Sequence, residues 1–252
     1  MNAITEKSVR AMIPPFVQEY TVHSYESDDL GRARLTALLN YMQESAWNHA
    51  EALGVGYSHL APKKLAWVLG RLRLQIIAYP VWGETVTLLT WPSGMDRLFC
   101  YRDFRFFDRN GKPFAVASTS WLVVDWERRR PQRTETYIDL RAEDAERVFP
   151  EFVGKIAAIE KVDRESSLTV KSSHLDVNGH VNNVKYLEFV LDSFPLEWSQ
   201  HSISDVTVNF INEARYGDEV VVRTAKQSDD ELLHSLRRAD GEELCRLQTR
   251  WT

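Results

Sequence analysis

The chain has 252 residues, enough for one or two domains. It is 44% hydrophobic and holds 8 Trp, 9 Tyr and 11 Phe, which suits a sizeable core and argues against disorder. A formal net charge of −5 argues against a nucleic-acid binder, whose footprint is basic, and two distant cysteines, Cys100 and Cys245, fit a reducing compartment rather than a disulfide framework or a cysteine zinc site.

The N-terminal stretch MNAITEKSVRAMIPPF lacks the apolar core of a signal peptide. No run reaches the ~18 apolar residues of a membrane span. A soluble, cytoplasmic protein is expected. The first strand is expected in YTVHSY, residues 20–25, which alternates as a half-buried strand should. A polar turn, SDDLGRARL, follows. A helix is expected next, because Leu35, Leu38, Leu39, Met42 and Ala46 recur with helical spacing. Strands rich in Val, Leu, Trp and Phe come after it: WVLGRLRLQII, ETVTLLTW, YRDFRFF and AVASTSWLVV. The stretch DRNGK suits a hairpin turn. The one dense basic run is ERRRPQR, residues 127–133. Residues 139–160 are charged and interrupted by proline, and are expected to be a linker.

The pattern then starts again. TVHSYESDDLGRARLTALLNYMQES aligns without a gap on TVKSSHLDVNGHVNNVKYLEFVLDS. Thr21 falls on Thr169, Val22 on Val170, Asp28 on Asp176, Gly31 on Gly179, Leu39 on Leu187 and Ser45 on Ser193. YPVWGETV resembles ARYGDEVV, with Gly83 on Gly217, and both copies close on a tryptophan, Trp121 and Trp251. Two copies of one unit are expected. In the second copy Val184, Leu187, Leu191 and Phe194 continue the helical stripe, and VTVNFI, DEVVVRTA, LLHSLRRA and ELCRLQTRW supply the strands. Each unit is expected to be one helix, preceded by one strand and followed by an antiparallel sheet that buries the helix stripe.

The richest stretch is HLDVNGHVNN, residues 174–183. Asn182 or Asn183 suits a helix N-cap. A calcium loop of the EF-hand type needs Gly at its sixth position and Glu at its twelfth. Counted from Asp176, those places hold Val181 and Leu187. A zinc site from His174, Asp176 and His180 is a second reading. Hydrolysis is a third. His180 accepts a proton near neutral pH, Asn178 donates to a developing oxyanion, and the following helix start adds free N–H groups. The first copy has Leu30 where the second has Asn178, and Arg32 where it has His180. The shared turn therefore does not require either residue. No serine lies in a G-x-S-x-G elbow, which leaves an activated water or a carboxylate as nucleophile.

The duplicated unit is similar to a tandem hotdog, an α+β fold in which each unit is a long helix wrapped by an antiparallel β-sheet. Within it, LDVNGHVNNVKYLEFVL resembles the signature of the acyl-acyl carrier protein thioesterases, the enzymes that end fatty-acid synthesis. GRLRLQIIAYPVWGETVTLLTW and STSWLVVDWERRRPQR resemble the strands of the family's first copy. The resemblance spans most of residues 16–251. It implies an N-terminal hotdog over residues 10–138 that binds the acyl chain, the linker over 139–160, and a catalytic hotdog over 161–252. It implies that Asp176, Asn178 and His180 are active-site residues, joined by the glutamate of VNFINEARYGDEV, Glu213. Plant-type members often carry cysteine after that glutamate. Ala214 stands here instead, so a thiol nucleophile at that position is excluded.

Hydrolysis of a fatty acyl-acyl carrier protein, releasing free fatty acid, is the activity implied, with no cofactor and no metal. Met42, Ala46, Trp47 and Leu53 are candidates for the acyl-chain pocket. Arg128, Arg129, Arg130, Arg133, Lys171 and Lys185 are candidates for docking the acidic carrier protein. Two other readings share the fold: an acyl-CoA thioesterase, and a non-catalytic sensor of acyl thioesters, which would need an output module for which no spare length is expected. The tandem arrangement pairs its units internally, and family habit suggests a homodimer.

Overall fold

The computed structural model describes residues 13–138 and 145–252. The expected boundary at residue 10 and linker residues 139–144 lie outside them. Strand β1 (Phe16–Thr21) leads through a 3-10 turn (Ser24–Glu26) into helix α1 (Leu35–Ala52) and a short helix α2 (Tyr57–Leu60). Strands β2 (Leu65–Ile76), β3 (Thr85–Met95), β4 (Phe99–Phe107), β5 (Pro113–Asp125) and the two-residue β6 (Arg130–Pro131) complete the first half. The second half holds β7 (Arg164–Thr169), α3 (Asn183–Asp192), β8 (Ile203–Phe210), β9 (Glu219–Lys226), β10 (Glu231–Arg238) and β11 (Glu243–Trp251).

The strands form one antiparallel sheet in the order β1-β3-β4-β5-β2-β8-β11-β10-β9-β7, with β6 on β5. From each outer edge inward, the halves read β1-β3-β4-β5-β2 and β7-β9-β10-β11-β8. The order is the same, so the sequence repeat is a repeat of topology. The halves join where β2 pairs with β8, from Arg71 opposite Asn209 to Gln75 opposite Asp205. Small details repeat too. The Trp121 indole N–H donates to Thr119 Oγ1 at 2.9 Å, and Trp251 does the same to Thr249 at 2.9 Å.

Both helices lie on one face of the sheet. Leu35, Leu38, Leu39, Met42 and Ala46 of α1 are buried, as the helical spacing predicts, and share one core with Val184, Leu187 and Val190 of α3. Sheet residues from both halves, among them Leu72, Leu88, Phe104, Val208 and Leu247, close that core. Leu38 is completely buried, and its truncation to Ala would cost about 2–5 kcal/mol. The helices are unequal: α1 has 18 residues and α3 has 10. The long helix expected in each unit is therefore found in the first only. Pro195 lies two residues past Ser193, the C-cap of α3, and its ring stops continuation. Phe194 falls beyond the helix and packs against the core from outside it.

Residues 145–156 cross the opposite face of the sheet. Phe149, Val153 and Ile156 are buried there. Sheet residues that alternate with core residues hold this segment. Trp91 donates to Glu146 O at 2.8 Å and Asp103 Oδ2 accepts from Val148 N at 2.8 Å. Arg71 donates to Val153 O at 2.8 Å, and Asn209 bonds both Gly154 O and Ile156 N. Arg246 donates to Ile156 O at 3.0 Å. The described part of the connection thus straps both halves.

Candidate active site

The polar turn is built twice with the same hydrogen bonds. In the first half, Asp28 Oδ1 accepts from the N–H groups of Leu30 (3.0 Å) and Arg32 (2.8 Å), and Asp28 N donates to Arg32 O at 2.8 Å. In the second half, Asp176 Oδ1 accepts from Asn178 N (2.8 Å) and His180 N (3.3 Å), and Asp176 N donates to His180 O at 2.8 Å. Gly31 and Gly179 take φ of 75° and 76°, a left-handed conformation that glycine adopts without steric cost. The aspartate is thus a turn-forming residue in both halves. Its second oxygen in the second half, Oδ2, lies 3.5 Å from Asn178 Nδ2. Asn182 caps α3, accepting from Val184 N at 2.9 Å.

Glu213 is brought to this turn by backbone pairing. Val181 N donates to Ala214 O at 2.9 Å, and Ala214 N donates to the buried hydroxyl of Tyr186 on α3 at 2.9 Å. The first half has the matching bond, Ala33 N to Pro80 O at 2.8 Å, so Tyr79 occupies the place of Glu213. Glu213 Oε2 lies 3.3 Å from His180 Nε2. Arg215 Nη2 lies 3.4 Å from the same nitrogen. Glu213 is more than half exposed, with 57% of its side chain accessible against 27% for His180. The pair is open to solvent. In the first half the corresponding side chains turn to the other half. Arg32 donates to Ser202 Oγ and the Tyr79 hydroxyl to Ile203 O, each at 2.7 Å.

Asp176, Asn178, His180 and Glu213 therefore lie together, with Asn178 exposed on the turn. His174 does not join them. Its Nδ1 accepts from Lys171 N at 3.0 Å and its ring meets Phe189 edge-on. Burial, then the Lys185 charge, lowers its pKa. Among the described residues, no three His, Cys, Asp or Glu side chains are placed to hold a metal. Two contributors escaped the sequence reading. Tyr186 anchors Ala214 through its hydroxyl, and a tyrosine inside an apolar helix reads as core. Arg215 was within reach of the same comparison that singled out His180, because Val81 stands opposite it in the repeat.

A narrow crevice of about 30 Å³ lies between α1 and α3, lined by Met42, Leu72, Phe104 and Trp121 from the first half and by Asn183, Leu187 and Phe210 from the second. Of the four pocket candidates, Met42 lines it. Ala46 is buried in the core, Trp47 stacks on Tyr57 at the surface, and Leu53 is the C-cap of α1. A volume of this size holds about one water. The basic candidates fall in separate settings. Arg129, Arg130 and Arg133 are exposed on and after the β5–β6 turn, and Arg128 lies 3.7 Å from Asp125. Lys171 is exposed, and Lys185 is tied to Glu188 at 2.7 Å.

Comparison with known proteins gives a consistent result. Family models for the N-terminal and C-terminal domains of acyl-ACP thioesterases match residues 15–140 and 157–252. The chain is similar to a chloroplastic palmitoyl-acyl carrier protein thioesterase of Gossypium hirsutum, with 30% identity over 94% of the chain and 63% of that protein. It is also similar to the oleoyl-acyl carrier protein thioesterase 1 of Arabidopsis thaliana, with 28% identity over 94% of the chain and 75% of that protein. The chain thus spans less than two thirds of the length of the Gossypium relative. Its structure superposes on the crystal structure of an acyl-ACP thioesterase from Bacteroides thetaiotaomicron with a TM-score of 0.83 and 26% identity, covering 94% of this chain and 97% of that one.

Proposed function

This chain belongs to the acyl-ACP thioesterase family, and we propose from that membership that it hydrolyses the thioester of a fatty acyl group on acyl carrier protein, releasing the free fatty acid and ending its synthesis. The observation that carries the reading is the 3.3 Å approach of His180 Nε2 and Glu213 Oε2, in a turn whose first-half copy keeps the shape but holds Arg32 and Tyr79 instead.

The chemistry follows from that pair. Water attacks the acyl carbon while Nε2 takes its proton. A proton arriving there converts the contact with Glu213 into an ion pair, so the carboxylate stabilises the charge as it forms. Asn178, held only loosely at 3.5 Å from Asp176, turns its amide to the carbonyl oxygen. The C–S bond then breaks, and the electron pair leaves on sulfur. A thiol of pKa near ~8.5 departs without a general acid. Asp176 acts by shaping the turn, as Asp28 does where no chemistry occurs.

We read the two like-ordered halves as a tandem hotdog. Residues 10–138 would bind the acyl chain, residues 139–160 would link, and residues 161–252 would catalyse. The chain would run from the turn into the crevice between α1 and α3, past Met42. The β5–β6 turn, with Arg129, Arg130 and Arg133, is a fitting platform for an acidic carrier protein, with Lys171 contributing, and Arg128 and Lys185 once freed from Asp125 and Glu188. Both cysteines are free, in keeping with a cytoplasmic enzyme. We place a homodimer with these readings on family habit alone.

The test is thiol release from one long-chain acyl group presented in parallel on acyl carrier protein and on CoA. Hydrolysis of the carrier-protein form at least about tenfold faster, a difference of about 1.4 kcal/mol in barrier, is expected. Equal or faster CoA hydrolysis would keep the site and reassign the substrate.

A further inference from the structure

His180 Nε2 has two partners that a neutral imidazole cannot satisfy together. Toward Glu213 Oε2, at 3.3 Å, the nitrogen must carry a hydrogen and donate it. Toward Arg215 Nη2, at 3.4 Å, it must present a lone pair, because a guanidinium only donates. One ring nitrogen does one or the other. The choice decides where the ring proton sits: on Nε2 with Glu213, or on Nδ1 with Arg215.

The fold does not require an arginine here. The turn that carries Arg215 is duplicated in the first half. Arg215 N donates to Asp218 Oδ2 at 2.9 Å, and Val81 N donates to Glu84 Oε2 at 3.1 Å. Gly217 N donates to Val170 O at 3.0 Å, and Gly83 N to Val22 O at 2.9 Å. The backbone is the same, and the first half builds it with a valine. The Arg215 side chain is exposed, yet it lies against an imidazole rather than extending into water. Its neighbour Ala214 is fixed by the Tyr186 hydroxyl and by Val181, so the guanidinium is presented from a rigid point. Holding a long, flexible side chain against the ring costs conformational entropy that an arginine extended into water does not lose.

We propose that Arg215 is a positioning residue that sets the tautomer of His180. Resting on the reading of His180 as general base, it keeps the lone pair on Nε2, the nitrogen beside Glu213, and the proton on Nδ1. An incoming water displaces the guanidinium and meets a base whose lone pair already points at it. Without Arg215, Glu213 draws the ring proton to Nε2, and each turnover must first move that proton away. No covalent step is added to the reaction. The tautomer is what changes.

The test is Arg215→Met, read in two ways. The first needs no substrate. Nitrogen-15 NMR of the histidine rings at about pH 8, above the ordinary histidine pKa of about 6.5, reports which ring nitrogen of His180 carries hydrogen. Nε2 is expected without hydrogen in the unaltered protein and with hydrogen in the variant. The second is kinetic: kcat is expected to fall about tenfold, part of the 10²–10⁴ that general-base assistance supplies, with KM within about twofold. An unchanged tautomer in the variant overturns the proposal whatever the rate does, and so does a changed tautomer with unchanged kcat. If the unaltered protein hydrolyses no acyl thioester, the hydrolase reading falls, and the NMR comparison still decides what Arg215 does to the ring.

Discussion

His49 Nδ1 lies 2.9 Å from the Arg102 guanidinium, and His234 sits between the hydroxyls of Thr224 and Thr249, each at 2.9 Å. Both rings are buried, one in each half. Burial, then the Arg102 charge, lowers His49 to about 4, and burial lowers His234 to about 3. The folded chain holds both rings neutral, while the unfolded chain takes up protons below about 6.5. Stability therefore falls as pH drops through about 6.5, and the loss completes at the folded values. Each ring contributes a slope approaching about 1.4 kcal/mol per pH unit within that window. Urea unfolding at pH 7.5 and pH 5 should show the loss, and His234→Gln should flatten it. Equal loss in that variant would assign the acid sensitivity to other groups. Other single residues were legible to differing degrees. His180 and Asn178 stood out because the repeat offered Arg32 and Leu30 in their places. Asp176 carried a turn-forming and a chemical reading in the sequence alone, and the matching bonds of Asp28 favour the first. Arg102 and His49 were invisible as partners, since nothing local relates residues on β4 and α1.

Elements were read well where their period was clean. The α1 stripe and the strands that follow each helix lie where spacing places them, whereas the first strand, expected over residues 20–25, runs over Phe16–Thr21 and gives way to the 3-10 turn at Ser24–Glu26. Two features depended on contacts that spacing does not encode. The shortness of α3 follows from Pro195, which the continued stripe to Phe194 conceals. The strap across the outer face reads as a charged, proline-interrupted linker, because only Phe149, Val153 and Ile156 of its described part are buried. Its anchor is Asn209, whose amide accepts from Ile156 N at 2.8 Å and donates to Gly154 O at 3.1 Å. Asn209→Leu removes both partners and leaves backbone groups unsatisfied. A loss of about 1–3 kcal/mol is expected, together with faster proteolytic cleavage within residues 145–156. Unchanged stability and cleavage would show that the strap is held by its apolar side chains alone.

On the scale of the whole molecule, duplication sets which side chains each half presents. One turn shape serves both halves, and they diverge in what it presents. In the first half Arg32 and Tyr79 reach across to Ser202 and Ile203 and tie the halves together. In the second, His180 and Glu213 face each other in the open. The continuous sheet through β2 and β8 and the shared core make the two halves one cooperative body, with the crevice at their seam. The sequence repeat and the family signature made this architecture readable, whereas the seam itself, formed by side chains from both copies, is a tertiary product that neither copy contains. The most direct measurement is thiol release from long-chain acyl-acyl carrier protein by the unaltered protein and by His180→Ala, side by side, with thermal unfolding of both. A loss of at least about 100-fold in kcat with little change in melting temperature is expected. Activity retained within a few-fold in a folded His180→Ala protein would contradict the account of this site.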